Sequence, residues 1–204
     1  PHAIVIRKDT FGKYKLRQEA LNDYPLSREE ALMQVVDHLG DNDIVVSTTG
    51  KLSRELFEYR ESKGQGHARD FLTVGSMGHS SSIALGIALE KPDRRVYCLD
   101  GDGAFIMHMG AFNNGAHESV GGQPTLGFRL DIASIAKGCG YAHVLTASDK
   151  EGLSCALEKL SGLSGPVLLE IKVRIDSRDD LGRPTTTPVE NKEHFMAFLK
   201  DTHS

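Results

Sequence analysis

Cysteine is scarce in this 204-residue chain, which contains only Cys98, Cys139 and Cys155. They are odd in number and far apart, so they form neither a disulfide framework nor a zinc-binding pattern, and they fit the reducing cytoplasm. Positive charge is not in excess either, since the net charge is −4, which argues against a nucleic-acid partner or an anionic membrane surface. No apolar run approaches the length of a membrane span. We therefore expect a cytoplasmic protein with neither a nucleic-acid nor a membrane partner.

Repeats and low-complexity segments are also lacking, and the length suits one domain with a hydrophobic core. The chain starts at Pro1 with no initiator Met and no signal-peptide pattern, so it reads as a piece of a longer protein. Residues 1–26 are polar and mixed, with an apolar run at 4–6 that suggests a short strand. We interpret them as a linker or edge segment, and residues 27–204 as the domain.

Strands and helices alternate along the domain. Ser27 and Glu30 have the spacing of a capping box, which predicts a helix start. Alternating elements are typical of an α/β fold with a doubly wound, mostly parallel sheet and helices on both faces. The predicted strands are 44–46, 71–74, 95–99, 143–145 and 166–173, and the predicted helices are 27–39, 53–61, 81–90, 131–137, 149–160 and 193–199.

Glycine, serine, threonine and aspartate are concentrated directly after three of the predicted strands, at 47–50, 75–78 and 100–103. In an open parallel sheet, ligands bind at the carboxyl ends of the strands, so these turns meet at the binding edge. Thr49, Gly50 and Lys51 supply a hydroxyl, an amide and an ammonium group, all of which can donate to phosphate. The alternative for these three is a plain strand–helix turn with an exposed lysine.

A carboxylate stands in the third of these turns, in Gly101-Asp102-Gly103. A turn before a helix is a place where anions bind, yet Asp102 would repel a bare phosphate. A divalent cation that bridges the carboxylate and a diphosphate removes this conflict, and Mg²⁺ prefers such oxygen ligands. Asn113 and Asn114 supply a further neutral oxygen.

Two other interpretations of the acidic turn fail. An EF-hand loop that starts at Asp100 would need a glycine where Phe105 stands and a glutamate where Ala111 stands. A Rossmann dinucleotide loop would need a third glycine at the position of Ile106. An ordinary turn remains the alternative for Gly-Asp-Gly taken alone.

Gly-Asp-Gly followed by Asn-Asn is the signature of thiamine-diphosphate enzymes, and the chain resembles the diphosphate-binding domain of that superfamily. The resemblance implies thiamine diphosphate and Mg²⁺ as cofactors. It assigns the metal to the Asp102 carboxylate, the Asn114 amide and the Ala116 carbonyl. The amides of Gly103 and Ala104 would hold the diphosphate.

Gly75-Ser76-Met77-Gly78 matches a second part of the superfamily pattern. The resemblance implies that Met77 lies under the bend of the cofactor and that the Gly75 carbonyl accepts from its pyrimidine amine. Methionine suits such an irregular gap, although an ordinary core position is the alternative. The cofactor-binding residues predicted in all are Thr49, Gly50, Lys51, Gly75, Ser76, Met77, Gly101, Asp102, Gly103, Ala104, Asn114 and Ala116.

Within the superfamily, the runs 113–125 and 181–188 are similar to the phosphonopyruvate decarboxylases. The resemblance implies decarboxylation of 3-phosphonopyruvate, an anionic 2-keto acid, to phosphonoacetaldehyde and CO₂ in phosphonate biosynthesis. Lys51, His117, Ser119 and Arg183 are candidate donors to the anionic substrate. His117 is also the candidate catalytic residue, since histidine can move a proton near neutral pH. A surface or core histidine is the alternative.

The activating glutamate of this superfamily belongs to a pyrimidine-binding domain, which this chain does not supply. The resemblance therefore implies a site completed by the rest of the same chain or by a partner chain, in a homo-oligomer, with the isolated chain inactive. The alternatives are a sulfopyruvate decarboxylase subunit and a non-catalytic module that binds a Mg-diphosphate.

One departure from the superfamily pattern concerns spacing. Only the nine residues 104–112 separate Gly103 from Asn113, and the superfamily spacing is much longer. The missing stretch should contain a strand that delivers Asn114. We expect the natural chain to hold further residues near the junction of Ala111 and Phe112, and an internal deletion is the alternative.

Overall fold

The structure is a computed structural model that describes residues 5, 7, 10, 23–107, 116–117, 123–124, 130–175 and 177–200. For 106, 116, 117, 123 and 124 it describes the backbone alone. A short strand is expected at 4–6, but Ile4 and Ile6 lie outside the described residues. Val5 is described, is exposed and belongs to no strand.

Helices and strands alternate along the described chain, as the sequence predicts. The elements in chain order are α1 (Arg28–His38), β1 (Ile44–Ser47), α2 (Lys51–Ser62), β2 (Asp70–Leu72), α3 (Ser80–Glu90), β3 (Val96–Leu99), α4 (Asp102–Met107), β4 (Ala116–His117), β5 (Gln123–Pro124), α5 (Ile132–Gly138), β6 (His143–Ala147), α6 (Lys150–Ser161), β7 (Val167–Ile171) and α7 (Pro188–Lys200).

Parallel pairing dominates the sheet. β1 pairs in parallel with β2 on one side and with β3 on the other, and β6 pairs in parallel with β7. β4 and β5 form a short antiparallel pair. The α/β class with parallel strands is thus confirmed. Among the described residues the parallel strands form two groups, β2-β1-β3 and β6-β7, where the sequence predicts one sheet.

Helix α1 organises the hydrophobic core. Its capping box is present, with Ser27 Oγ accepting from the Glu30 amide at 3.1 Å and Glu30 Oε2 accepting from the Ser27 amide at 3.0 Å. One stripe of α1 packs with Leu153 and Leu157 of α6, and another packs with α2 and β1. Leu26, at the end of the segment interpreted as a linker, is 1% exposed and belongs to the first cluster.

A buried ion pair fixes β2 at the end of the strand away from the turn at 75–78. Arg60 donates from Nε to Asp70 Oδ2 at 2.9 Å and from Nη2 to Asp70 Oδ1 at 3.0 Å, and both side chains are almost fully buried. Asn191 of α7 accepts from the Leu72 amide at 3.3 Å and donates to the Asp70 carbonyl at 3.1 Å. These contacts set the position of β2, and with it the turn that follows.

Two helices are longer than the sequence patterns predict. α2 begins at Lys51 and not at Ser53. α7 begins at Pro188, five residues before the predicted start, because Thr187 and Glu190 form a second capping box and proline is well suited to a first helical position. That box was visible in the sequence and was missed.

Candidate functional site

Three polar loops meet at one edge of the β2-β1-β3 sheet. Parallel pairing aligns Ser47 with both Leu72 and Leu99, so the three strands end side by side. The turns that follow, 48–50, 73–79 and 100–101, therefore share the carboxyl edge, where α/β sheets bind ligands. A direct contact joins two of them, because the Gly75 amide donates to Thr49 Oγ1 at 3.2 Å.

The first loop leads into the N-terminus of α2. Gly50 is the N-cap residue, adopts φ +111° and makes no side-chain hydrogen bond to the helix. A positive φ is accessible to glycine at little cost, and a β-carbon there would meet no atom within 4 Å. An uncapped helix N-terminus favours an anion. Lys51 is the first residue of the helix, and its ammonium donates to the Ser177 hydroxyl.

The second loop holds three residues in the left-handed region. Gly75 has φ +70° and Gly78 has φ +88°, and Ser76 between them has φ +49°. A non-glycine residue in this region is strained and is typical of ligand-binding loops. Met77 is 39% exposed, so in this structure it is not a core residue. Its side chain is available at the sheet edge.

The third loop is shorter than the sequence predicts. α4 begins at Asp102 itself, so the acidic residue lies in the first turn of a helix and not in a turn before it. A carboxylate is favourable there because it faces the positive end of the helix dipole. Asp102 is exposed, and its Oδ1 accepts from the Gly103 amide at 2.8 Å. Ala104 is 1% exposed, so only the backbone of that residue can contribute to a ligand site.

Asp100 lies beneath these loops, between β3 and α4. Its Oδ1 accepts from the Gly101 amide at 3.0 Å. Burial raises the pKa of the carboxyl above its ordinary value, and the nearby hydroxyls of Ser80 and Thr48 oppose that shift. Burial likewise raises the pKa of the Cys98 thiol to about 12, so this cysteine is not a thiolate nucleophile.

The predicted metal ligands are only partly within the described residues. Asn113 and Asn114 lie outside them, as does Ser119, a predicted substrate donor. Ala116 and His117 are described in their backbone alone, as β4 paired with β5. The described side chains contain no cluster of three His, Cys, Asp or Glu residues that could hold a metal ion. The junction near Ala111 and Phe112 also lies outside the described residues.

Within the described part of the chain, Arg183 makes no hydrogen bond or ion pair with the three loops. Its side chain is exposed, and its neighbour Gly182 donates from the backbone to Glu58 Oε1 at 2.5 Å. Glu58 lies about two turns, or about 10 Å, along α2 from Lys51. The structure thus places the two predicted substrate cations beside different parts of the same helix.

Sequence reasoning missed two residues that support the predicted site. Arg178 donates to Glu29 of α1 at 2.9 Å and also to Glu58 of α2. These ion pairs hold the segment that contains Ser177, which accepts from Lys51. No local pattern indicates that bridge, because its partners are far apart in sequence. Asp100 could have been found, since it directly precedes Gly101 in the acidic motif.

Comparison with known proteins agrees with this geometry. Residues 48–121, which include all three loops, match the family described as thiamine pyrophosphate enzyme, C-terminal TPP binding domain. The chain is 34% identical to the sulfopyruvate decarboxylase subunit beta of Methanocaldococcus jannaschii, over 63% of this chain and 73% of that protein. The chain belongs to the thiamine-diphosphate-dependent decarboxylase family. The resemblance noted in the sequence is thereby confirmed.

Relatives of two kinds are found within this family. The chain is 36% identical to a phosphonopyruvate decarboxylase of Streptomyces viridochromogenes and 34% identical to one of Streptomyces hygroscopicus. These alignments cover 85% and 88% of this chain but 46% and 47% of the relatives. The chain therefore spans about half the length of these relatives. None of the helices within the described residues is both long and apolar enough to cross a membrane.

Proposed function

We propose that this chain is the diphosphate-binding part of a thiamine-diphosphate- and Mg²⁺-dependent enzyme. The enzyme would decarboxylate 3-phosphonopyruvate to phosphonoacetaldehyde and CO₂. The observation that carries the proposal is the convergence of three polar loops at the carboxyl edge of three paired parallel strands, in the region that matches the cofactor-binding family.

The described loops fit a diphosphate. Gly50 and the uncapped first turn of α2 offer backbone amides. The space beside Gly50 is free, since a β-carbon placed there would meet no atom within 4 Å. Gly103 and Ala104 offer amides in the first turn of α4. The exposed carboxylate of Asp102 would take Mg²⁺, with Asn114 and the Ala116 carbonyl as further oxygen ligands of the kind that Mg²⁺ prefers.

Each loop has its own task in the proposed reaction. Bound thiamine diphosphate supplies an acceptor for the electron pair that is left when CO₂ departs. Met77 would support the bent cofactor, and the Gly75 carbonyl would accept from its pyrimidine amine. Lys51, already held beside Ser177, would bind the anionic group of the substrate. His117 would move the proton, and Ser119 and Arg183 would be additional donors.

The substrate assignment is drawn from the relatives. A phosphonopyruvate decarboxylase matches 85% of this chain at 36% identity, and the chain has polar donors for a phosphonate of about two negative charges. The second candidate is a sulfopyruvate decarboxylase, favoured by the match to 73% of a beta subunit. A beta subunit also implies a separate partner chain, as expected for a site completed from outside.

The test is an assay of the complete enzyme, in which this chain is joined by its pyrimidine-binding part, with thiamine diphosphate and Mg²⁺. CO₂ release should be faster from 3-phosphonopyruvate than from 3-sulfopyruvate at equal concentration. Faster turnover of the sulfonate would establish the second candidate. Cofactor binding without turnover of either acid would instead identify a non-catalytic module.

The isolated chain should release no CO₂ from 3-phosphonopyruvate, because the proposed activating glutamate lies in the other part of the enzyme. The assay should use chain purified from a host that has no such activity of its own. The matched control is the complete enzyme at the same molar concentration. Turnover by the isolated chain, at a rate near that of the control, would refute this expectation.

A further inference from the structure

Among the described residues, three buried side-chain oxygen atoms at the bases of the proposed cofactor loops lack hydrogen-bond partners. They are Thr48 Oγ1, Ser80 Oγ and Asp100 Oδ2, and none has a hydrogen-bond partner within the described part of the chain. Thr48 is 5% exposed and Ser80 is 1% exposed. A buried polar atom that lacks a partner is costly and calls for an explanation.

Each of these atoms belongs to the base of a different loop. Thr48 follows β1 and precedes the 49–51 turn, Ser80 begins α3 directly after the left-handed loop, and Asp100 follows β3 and precedes Gly101. The backbone already joins two of these bases, since the Thr48 amide donates to the Leu99 carbonyl at 2.9 Å. The side chains are thus placed where a small movement of any loop changes their separation.

The chemistry of the three groups is complementary. Each hydroxyl can donate one hydrogen bond, and one carboxylate oxygen can accept two. Asp100 Oδ1 is engaged by the Gly101 amide at 3.0 Å, which leaves Oδ2 for the hydroxyls. The Thr48 amide is bonded to Leu99, the residue directly before Asp100, and α3, which begins at Ser80, packs against β1 and β3. These backbone contacts bring both hydroxyls near the Asp100 carboxylate, although neither makes a hydrogen bond of normal geometry.

We propose that Asp100 is a positioning residue for the cofactor. Its Oδ2 accepts hydrogen bonds from Thr48 and Ser80 when the loops close on the diphosphate, and this holds all three loops in their binding geometry. Asp100 touches neither the cofactor nor the metal, and acts through the loops whose bases it joins. The inference rests on the cofactor role that is proposed for these loops.

Matched substitutions in the complete enzyme test this inference. Thr48→Val removes the hydroxyl while keeping the shape of the side chain, whereas Thr48→Ser keeps the hydroxyl. Ser80→Ala removes the second donor, and Ser82→Ala makes the same change at an exposed position of α3. Calorimetry should measure the affinity for thiamine diphosphate in the presence of Mg²⁺, and denaturation should measure the unfolding free energy without cofactor.

We expect Thr48→Val and Ser80→Ala each to weaken cofactor binding about tenfold, since each loses a hydrogen bond to a charged group. Thr48→Ser should restore most of the affinity, and Ser82→Ala should bind like the native enzyme. In an Asp100→Asn background, Ser80→Ala should cost less than twofold more, because the two groups act together. Amide exchange of residues 49–51 and 75–78 in the cofactor-bound enzyme should become faster in the weakened variants.

Affinities within twofold of the native value in Thr48→Val, Ser80→Ala and Asp100→Asn would overturn the inference. A loss of unfolding free energy without a loss of affinity would also overturn it, since the cluster would then be only structural. Failure of the native enzyme to bind the cofactor would instead refute the proposed function, so the two failures are distinguishable.

Discussion

At the scale of single residues, Asp102 is the side chain on which the proposed metal site depends. It is exposed at the start of α4. The other two loops leave their strands at the same edge of the sheet. In the complete enzyme, Asp102→Ala should abolish Mg²⁺-dependent binding of thiamine diphosphate, because the cation loses its charged protein ligand. Isothermal calorimetry with and without Mg²⁺ measures the effect.

Asp93→Ala is the matched control for this prediction. Asp93 is also an exposed aspartate, but it precedes β3 and so lies at the opposite end of that strand. Its removal changes the net charge by the same amount and should leave the affinity unchanged. An Asp102→Ala enzyme with native affinity would disprove the metal assignment.

At the scale of one element, the cap of α1 links local sequence to stability. The pKa of Glu30 is lowered to about 2, chiefly because its carboxylate accepts from the Ser27 amide and also from Lys150. Ser27→Ala should lower the unfolding free energy by about 1 kcal/mol, the usual contribution of an N-cap. Urea denaturation at neutral pH measures this loss.

The same cap predicts a dependence on pH. A carboxyl group whose folded pKa lies below its ordinary value of 4.5 stabilises the fold fully above that value, and the contribution is lost as the pH falls towards 2. Glu30→Gln should therefore reduce the loss of unfolding free energy between pH 7 and pH 3. Glu151→Gln, an exposed change in the first turn of α6, is the control. An unchanged pH dependence in Glu30→Gln would contradict this account of the cap.

At the scale of the whole molecule, α3 presents apolar side chains to solvent. Leu85 is 62% exposed and Leu89 is 73% exposed, on a helix that begins directly after the loop 75–79. The phosphonopyruvate decarboxylase relatives are about twice as long as this chain. We expect α3 to pack against the proposed pyrimidine-binding part, because that part would reach the same cofactor edge and would bury this surface.

Leu85→Lys and Leu89→Lys should each weaken association of this chain with its pyrimidine-binding part by at least about tenfold, since burial of a leucine contributes about 1.5–3 kcal/mol. Analytical ultracentrifugation of the two parts measures the dissociation constant. Ile175→Lys, which alters an exposed apolar residue after β7, should have no effect. Native association in both leucine variants would show that another surface makes the contact.

Much of this arrangement could be predicted from local patterns. The capping box at Ser27, the alternation of strands and helices, and the three polar turns depend on neighbouring residues, so they are legible in the sequence. The start of α4 at Asp102 was not predicted, because Gly-Asp-Gly suits a turn and a helix N-terminus equally. Burial of the pair Arg60–Asp70 was not predicted either. Arginine and aspartate are usually exposed unless they are paired, and the sequence does not show that these two form a pair.

The sequence by itself determined the fold class, the family and the segments that carry the cofactor loops, because periodicity, caps and motifs are local properties. Only the tertiary structure decided which side chains meet. Thr48, Ser80 and Asp100 come near one another because β1 and β3 pair in parallel and α3, which begins at Ser80, packs against both strands. Arg178 joins α1 to α2 across more than a hundred residues of chain. Such contacts depend on how the elements pack, and no local pattern specifies that packing.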